Sequence, residues 1–261
     1  MPGDERAPKL AAADPALEPA EGERILETGV LEVLGLMPRS SNATYLAKVR
    51  SEDDTDREVL AIYKPRRGER PLWDFPEGSL AAREVASYRL ARALGWPTVP
   101  PTVLRDGPEG TGSVQLFRGF DPAEHAFTLV AERVGEFRRI AAFDVVINNA
   151  DRKGGHTLLG EDGRIFVIDH GVSFHREPKL RTVIWEFEAE PLGEVLRTDL
   201  LRLRDDLAAG PLRASLGELL APPEVDATLH RTERLLEANS FPTADQTVEE
   251  TDMPPYPWPA I

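Results

Sequence analysis

Apolar and polar positions follow two different rules along this chain. In the first part the apolar side chains come in short β-prone runs, at 24–35, 44–50 and 59–63, each bounded by polar, turn-forming residues. Runs of that length predict three strands in meander order. A stretch rich in Ala, Arg and Leu follows at 80–94, with Ser79 at the N-cap position and Gly95 and Pro97 as stop signals. This is the order expected of a helix. Two more β-prone runs, 99–104 and 113–117, flank a turn-like 105–112. A sheet of five strands with one helix is the result.

Beyond residue 130 the period lengthens. Val134, Phe137, Ala141 and Val145 share one face of a helix expected over 132–147. The runs 157–159 and 164–168, joined by Gly160-Glu161-Asp162-Gly163, predict a hairpin. Helices are expected after it, most clearly at 196–207 and 228–238. Strands first and helices later predict an α+β protein of two lobes, 24–118 and 119–241, rather than an alternating α/β sheet. The ends lack a pattern. Residues 1–23 are Ala, Pro and acid with almost no large apolar side chain, which predicts disorder. Residues 242–261, with four prolines around Tyr256 and Trp258, read as a second disordered tail or as an extended segment that docks on a protein partner.

Charge and composition narrow the function. The 261 residues carry a formal net charge of −14 and no cysteine. A disulfide framework, a thiolate zinc site and a cysteine nucleophile are thereby excluded. Each end contributes −4, which leaves −6 for the middle. The sign argues against nucleic acid as a partner and against adsorption to an anionic membrane. No apolar run approaches the ~18 residues of a spanning helix, and nothing reads as a signal peptide, so no stable membrane insertion and a cytoplasmic location are expected. Within the acidic whole, Lys64, Arg66, Arg67, Arg70, Arg152 and Lys153 gather around the residues considered next.

The segment Asn148-Asn149-Ala150-Asp151-Arg152-Lys153-Gly154-Gly155-His156 lies between the 132–147 helix and the hairpin, whose far end delivers Ile168-Asp169-His170-Gly171. Asp151 and Asp169 should thus come together. Phosphoryl transfer calls for such a pair, one carboxylate to orient a hydroxyl and one to hold a metal on the nucleotide phosphates. Lys64 ends a strand and suits a phosphate clamp, while Glu84 on the following helix would fix it in place. Taken singly, each signal has a plain alternative: Asp151-Arg152 a surface ion pair, Asp169 a turn cap, Lys64 a solvated strand end, Glu84 a contact within its own helix, His156 a loop residue. A phosphate-binding Gly-x-x-x-x-Gly-Lys loop, a dinucleotide fingerprint and a His-Glu-x-x-His helix are all missing.

In conjunction these motifs resemble the protein-kinase-like superfamily. The likeness is to phosphatidylinositol 3- and 4-kinase-like proteins, the type II 4-kinases in particular, and to HipA-like kinases, in an actinobacterial branch. It rests on Ile62-Tyr63-Lys64-Pro65, on the helix from Glu84 to Gly95, on Val99-Pro100-Pro101-Thr102, on Asn149-Ala150-Asp151-Arg152 and on Ile168-Asp169-His170-Gly171, and covers roughly residues 30–175. The resemblance implies a kinase-like N-lobe and C-lobe, with Lys64 on the phosphates of ATP, Glu84 orienting it, and Gln115, Leu116 and Phe117 as the inter-lobe linker that touches adenine. It implies Asp151 as catalytic aspartate, Lys153 steadying the transferred group, and Asp169 as ligand to Mg²⁺ or Mn²⁺. Two departures stand out. His156 occupies the place of a metal-binding asparagine, and imidazole suits Mn²⁺ better than Mg²⁺. The phosphate-covering loop, 37–42, lacks glycine and would act through Ser40, Ser41, Asn42 and Arg39. The expected activity is ATP-dependent phosphoryl transfer to a hydroxyl of a small molecule, an inositol-type lipid or a protein. A nucleotide-binding pseudokinase and an AMP-transferring enzyme are the alternatives.

Overall fold

The computed structural model describes residues 17–38, 42–54, 56–96 and 99–261. Five strands, β1 (Val30–Leu36), β2 (Tyr45–Arg50), β3 (Glu58–Pro65), β4 (Thr102–Gly107) and β5 (Gly110–Leu116), form one antiparallel sheet in the order β1-β2-β3-β5-β4. On β3, Val59, Ala61 and Tyr63 enter the sheet's apolar core, which places Lys64 on the opposite face with Leu60 and Ile62. Strand β5 lies tight against β3: a Cβ on Gly112 would stand 2.4 Å from the Lys64 carbonyl oxygen. That close approach keeps the lysine's backbone in a fixed register, Lys64 opposite Ser113. The β4–β5 turn is also shorter than the expected 105–112, because Gly107 already pairs with Gly110.

The first helix corrects the sequence reading at both of its borders. Residues 24–28 were expected to open a strand, and 1–23 to be disordered, yet α1 spans Pro19–Thr28. Proline at its start fits the first helical turn, and Gly22, Ile25 and Leu26 are buried beneath it, with Leu17 just before. Residues 1–16 lie outside the described residues.

Helix α2 (Leu80–Leu94) has the bounds its start and stop signals predict, but not the cap. Ser79 makes no side-chain cap; the Glu69 carboxylate accepts instead from the Leu80 and Ala81 amides at 3.2 and 3.0 Å. An anion at a helix N-terminus satisfies free donors and complements the dipole. Gly95 closes the helix in the left-handed conformation, φ +71°, and Pro97 lies outside the described residues. Ala86, Tyr88, Leu90, Ala91 and Leu94 on α2 belong to the large core of the helical part. Thus α2 joins sheet to helices.

That helical part comprises α3 (Ala126–Leu129), α4 (Val134–Ile147), the hairpin β6 (Thr157–Leu159) and β7 (Ile165–Val167), then α5 (Glu194–Ala209), α6 (Pro211–Gly217), α7 (Pro222–Ala238) and α8 (Ala244–Thr251). The disordered tail expected at 242–261 is absent. Thr243 and Gln246 cap α8 reciprocally, side chain to backbone in both directions. The prolines that follow dock against the protein: Thr182 N–H donates to Pro255 O at 3.0 Å and Gly154 N–H to Ala260 O at 2.7 Å. The docking segment has its partner within the same chain. Among the described residues no helix is long and apolar enough to cross a membrane.

Candidate active site

Strand β3, helix α2 and the turn after β7 converge on one ammonium group. Lys64 Nζ donates to Glu84 Oε1 at 2.5 Å and to Asp169 Oδ1 at 2.9 Å. The Glu84 side chain is buried and uses its other oxygen as well, accepting from the His170 amide at 2.9 Å. One carboxylate on α2 therefore fixes both the lysine and the turn that bears Asp169. That turn depends on Asp169 adopting a left-handed conformation, φ +62°, which Asp tolerates better than most residues. Burial alone would lower the Lys64 pKa, but the two carboxylates more than offset it and raise the value. Lys64 in turn holds the Asp169 carboxyl well below the usual range, against the effect of burial. Both groups are charged at neutral pH. Half of the Asp169 side chain remains exposed.

The loop after α4 supplies the second carboxylate. Asn148, left-handed at φ +54°, ends the helix, and the Asp151 amide is held by Asn149 Oδ1 at 3.0 Å. The Asp151 carboxylate lies 3.1 Å from Lys153 Nζ. Burial pushes the Asp151 pKa up; Lys153 acts in the opposite sense. His156 bridges toward the first cluster. Its Nδ1 accepts from the Lys153 amide at 3.4 Å, and its Nε2 stands 3.5 Å from Asp169 Oδ2. Burial lowers the His156 pKa to about 4, so the ring is neutral under ordinary conditions.

Beneath these residues runs a network that sequence reasoning missed. Arg152 is fully buried, and its guanidinium meets the equally buried Asp144 of α4 through Nε and Nη2 at 2.9–3.1 Å. Nη1 donates to Ile168 O at 3.1 Å, and Nη2 to His170 Nε2 at 2.8 Å. A ring nitrogen facing an arginine donor must accept, so His170 is neutral with its proton on Nδ1. Its pKa is accordingly well below the ordinary value, through burial first and Arg152 second. Asn149 Nδ2 completes the set by donating to Asp144 Oδ1 at 2.9 Å. Hydrogen bonds, with His170 as a covalent link between its amide and its ring, thus connect Lys64 through Glu84, His170, Arg152, Asp144 and Asn149 to the Asp151 backbone. The surface ion pair considered for Asp151-Arg152 is not formed; Arg152 pairs inward. Only its place after Asp151 hinted at a role.

Other expected residues stand elsewhere. Ser40 and Ser41, with Arg39, lie outside the described residues. The Asn42 side chain is occupied, its Oδ1 accepting from the Arg70 amide at 2.9 Å. Gln115 and Leu116 belong to β5, and the Gln115 amide is turned inward to Thr102 Oγ1 at 2.9 Å. The Leu116 and Phe117 N–H groups donate to Pro101 O and Leu60 O. These two amides are thus already engaged within the sheet region, and the chain leaves β5 at Phe117.

Among the described residues no group of three or more His, Asp or Glu side chains is placed to hold a metal. Mg²⁺ does not require such a cage, since it is commonly held by one or two carboxylates and the substrate phosphates. The half-exposed Asp169, with the neutral His156 beside it, fits an ion shared in this way.

No family model matches the chain. Protein Rv2133c of Mycobacterium tuberculosis is 36% identical over 272 aligned positions, covering 91% of this chain and 94% of that protein. Phosphatidylinositol 4-kinase gamma 4 of Oryza sativa subsp. japonica is 28% identical over 227 positions, which cover 71% of this chain but only 40% of the plant protein. Among solved structures, that of hydra Fam20 with sugar superposes with a TM-score of 0.51 at 13% identity, over 90% of both chains. At that identity the likeness speaks for the fold alone, and the α+β architecture of sheet and helical part is kinase-like.

Proposed function

Since the chain belongs to the family of the mycobacterial protein Rv2133c and has a kinase-like fold, we propose that it is an ATP-dependent phosphotransferase acting on a hydroxyl group. The observation that carries this reading is the single ammonium of Lys64 shared between Glu84 and Asp169, with Asp151 on the adjoining loop. In the proposed reaction Lys64 takes the nucleotide phosphates, and Glu84 keeps it from swinging away. Asp151 orients the acceptor hydroxyl and receives its proton as the oxygen attacks phosphorus. A carboxylate whose pKa is raised by burial is a better proton acceptor than one in water. Lys153, 3.1 Å from Asp151, balances negative charge on the group in transit. Asp169 would hold Mg²⁺ or Mn²⁺, which supplies positive charge to the phosphate oxygens. The mildly acidic body favours a soluble acceptor over a lipid in an anionic membrane.

One observation favours a second reading, a nucleotide-binding pseudokinase: His156 replaces the asparagine that the resemblance leads one to expect, and its Nδ1 is engaged by Lys153. Thermal unfolding with ATP and Mg²⁺ or Mn²⁺ tests the shared premise. At a hundredfold excess over the dissociation constant, binding should add ~2.7 kcal/mol of stability, and Lys64→Met should abolish the gain. Absence of a shift in the native chain with either ion sinks both readings. A shift without ATP consumption in the presence of candidate hydroxyl acceptors favours the pseudokinase.

A further inference from the structure

A cavity bordered by α7 and α8 lies away from the residues just described. It measures about 690 Å³ and is bordered by the end of α4, the segment 176–180, one face of α7, and α8. Side chains along 178–181 alternate between the cavity and partners elsewhere. Pro178 and Leu180 line the cavity, whereas Lys179 pairs with Asp74 at 2.9 Å and the Arg181 guanidinium donates to Tyr256 O at 3.1 Å. We propose that this cavity binds an amphipathic carboxylate, its hydrocarbon body on the apolar floor and its head group on Arg231.

Two observations lead to that ligand class. First, the floor is apolar, made by Val145, Leu180, Leu235 and Phe241, and the volume is in the range that encloses a small organic molecule. Second, Arg231 is a cation with neutral partners only. Its Nε donates to Val146 O at 2.9 Å, Nη1 to His175 O at 3.2 Å and Nη2 to Thr228 Oγ1 at 3.0 Å. No carboxylate among the described residues comes within ion-pair distance of it; the neighbouring Glu224 is engaged by Arg83 at 2.5 Å. A guanidinium has five N–H groups, and three acceptors leave one on each terminal nitrogen for a further, anionic acceptor. Burial lowers the Arg231 pKa to about 9, as befits a cation that lacks a counterion. The cavity's acids offer none, for Glu250 already pairs with Arg234, and Glu237 and Glu249 are solvent-exposed. Inorganic phosphate would satisfy Arg231 but leave the floor wet; an uncharged hydrocarbon would do the reverse.

The site is independent of the phosphotransfer reading, and its test needs no turnover. Dodecanoate, below its micellar concentration, is titrated calorimetrically into the full chain, with dodecan-1-ol as the uncharged control. Saturable one-to-one binding of dodecanoate is expected, weakened roughly tenfold by Arg231→Met through loss of charge-assisted hydrogen bonds. Dodecan-1-ol should bind the native chain no better than it binds that variant. Ala238→Trp, at an exposed position on the cavity wall, should weaken binding by narrowing the space, and it decides the matter if Arg231→Met does not fold. Absence of saturable dodecanoate binding, or equal affinity in the native chain and the Ala238→Trp variant, overturns the proposal.

Discussion

His156 concentrates the chemistry that distinguishes this site. Its Nε2 faces Asp169 across 3.5 Å, where a hard ion such as Mg²⁺ prefers oxygen and Mn²⁺ accepts nitrogen. His156→Asn should therefore raise Mg²⁺-supported turnover relative to Mn²⁺-supported turnover; an unchanged ratio removes His156 from the metal's surroundings. The same ring makes the metal-free chain sensitive to acid. Burial keeps it neutral down to about pH 4, whereas the ordinary value is 6.5. Between those limits the unfolded chain binds a proton that the folded chain refuses. Stability should fall with decreasing pH across that window, by up to ~1.4 kcal/mol per pH unit from this one group. Urea unfolding at pH 7, 6 and 5 measures the slope, and His156→Asn should reduce it. His170, depressed in the same sense by burial and Arg152, should keep the slope above zero.

At the level of elements, the buried Asp144–Arg152 pair ties helix α4 to the loop that carries Asp151 and, through Ile168 and His170, to the turn that carries Asp169. Asp144→Asn leaves the Arg152 cation buried without its counter-charge, and breaking such a pair costs ~3–5 kcal/mol. Arg152→Lys should not restore what Arg152 provides, since a single ammonium cannot replace a fork that meets Asp144, Ile168 and His170 together. Chemical denaturation of both variants measures the loss; a change below ~1 kcal/mol would show the network to be dispensable. How far the sequence reveals these arrangements depends on what each rests upon. Helix α2 was legible to the residue because composition and the Gly95 stop agree, and Lys64, Glu84 and Asp169 were legible because adjacent strand and helix ends deliver them. Arg152 was not, since a surface arginine and a buried one read alike until the partner eight residues upstream is known. Helix α1 was lost by running its Ile25 and Leu26 into the next apolar run. Helix α8 was missed although its Thr243-to-Gln246 capping box is visible in the sequence. The docking of 255–260 was beyond reach, because backbone bonds at Gly154 and Thr182 leave no side-chain pattern.

For the molecule as a whole, α2 is the member on which sheet, helices and site all depend. Two adjacent residues on it face different duties: Glu84 holds Lys64, and Arg83, almost wholly buried, reaches Glu224 of α7 at 2.5 Å and Ser173 O at 2.6 Å. The guanidinium also lies over the Phe75 ring, 4.9 Å from its centre. A second, more exposed contact joins Arg89 to Glu218 of the turn after α6 at 2.8 Å. These two links fasten α2 to the helical part, but burial makes them unequal. Glu224→Gln leaves Arg83 charged and buried, which should cost ~3–5 kcal/mol, whereas Glu218→Gln removes a solvated partner worth ~1 kcal/mol or less. Because Arg83 and Glu84 share one turn of helix, a loosened α2 should also loosen the lysine clamp. Glu224→Gln is therefore expected to weaken nucleotide binding as well as stability, and Glu218→Gln to leave binding within twofold of the native value. Denaturant unfolding and nucleotide titration on the same samples give both quantities. If Glu224→Gln lowered stability and left nucleotide affinity untouched, the Lys64–Glu84–Asp169 cluster would be held by its own turn of chain alone, and the long reach from α7 would serve folding only.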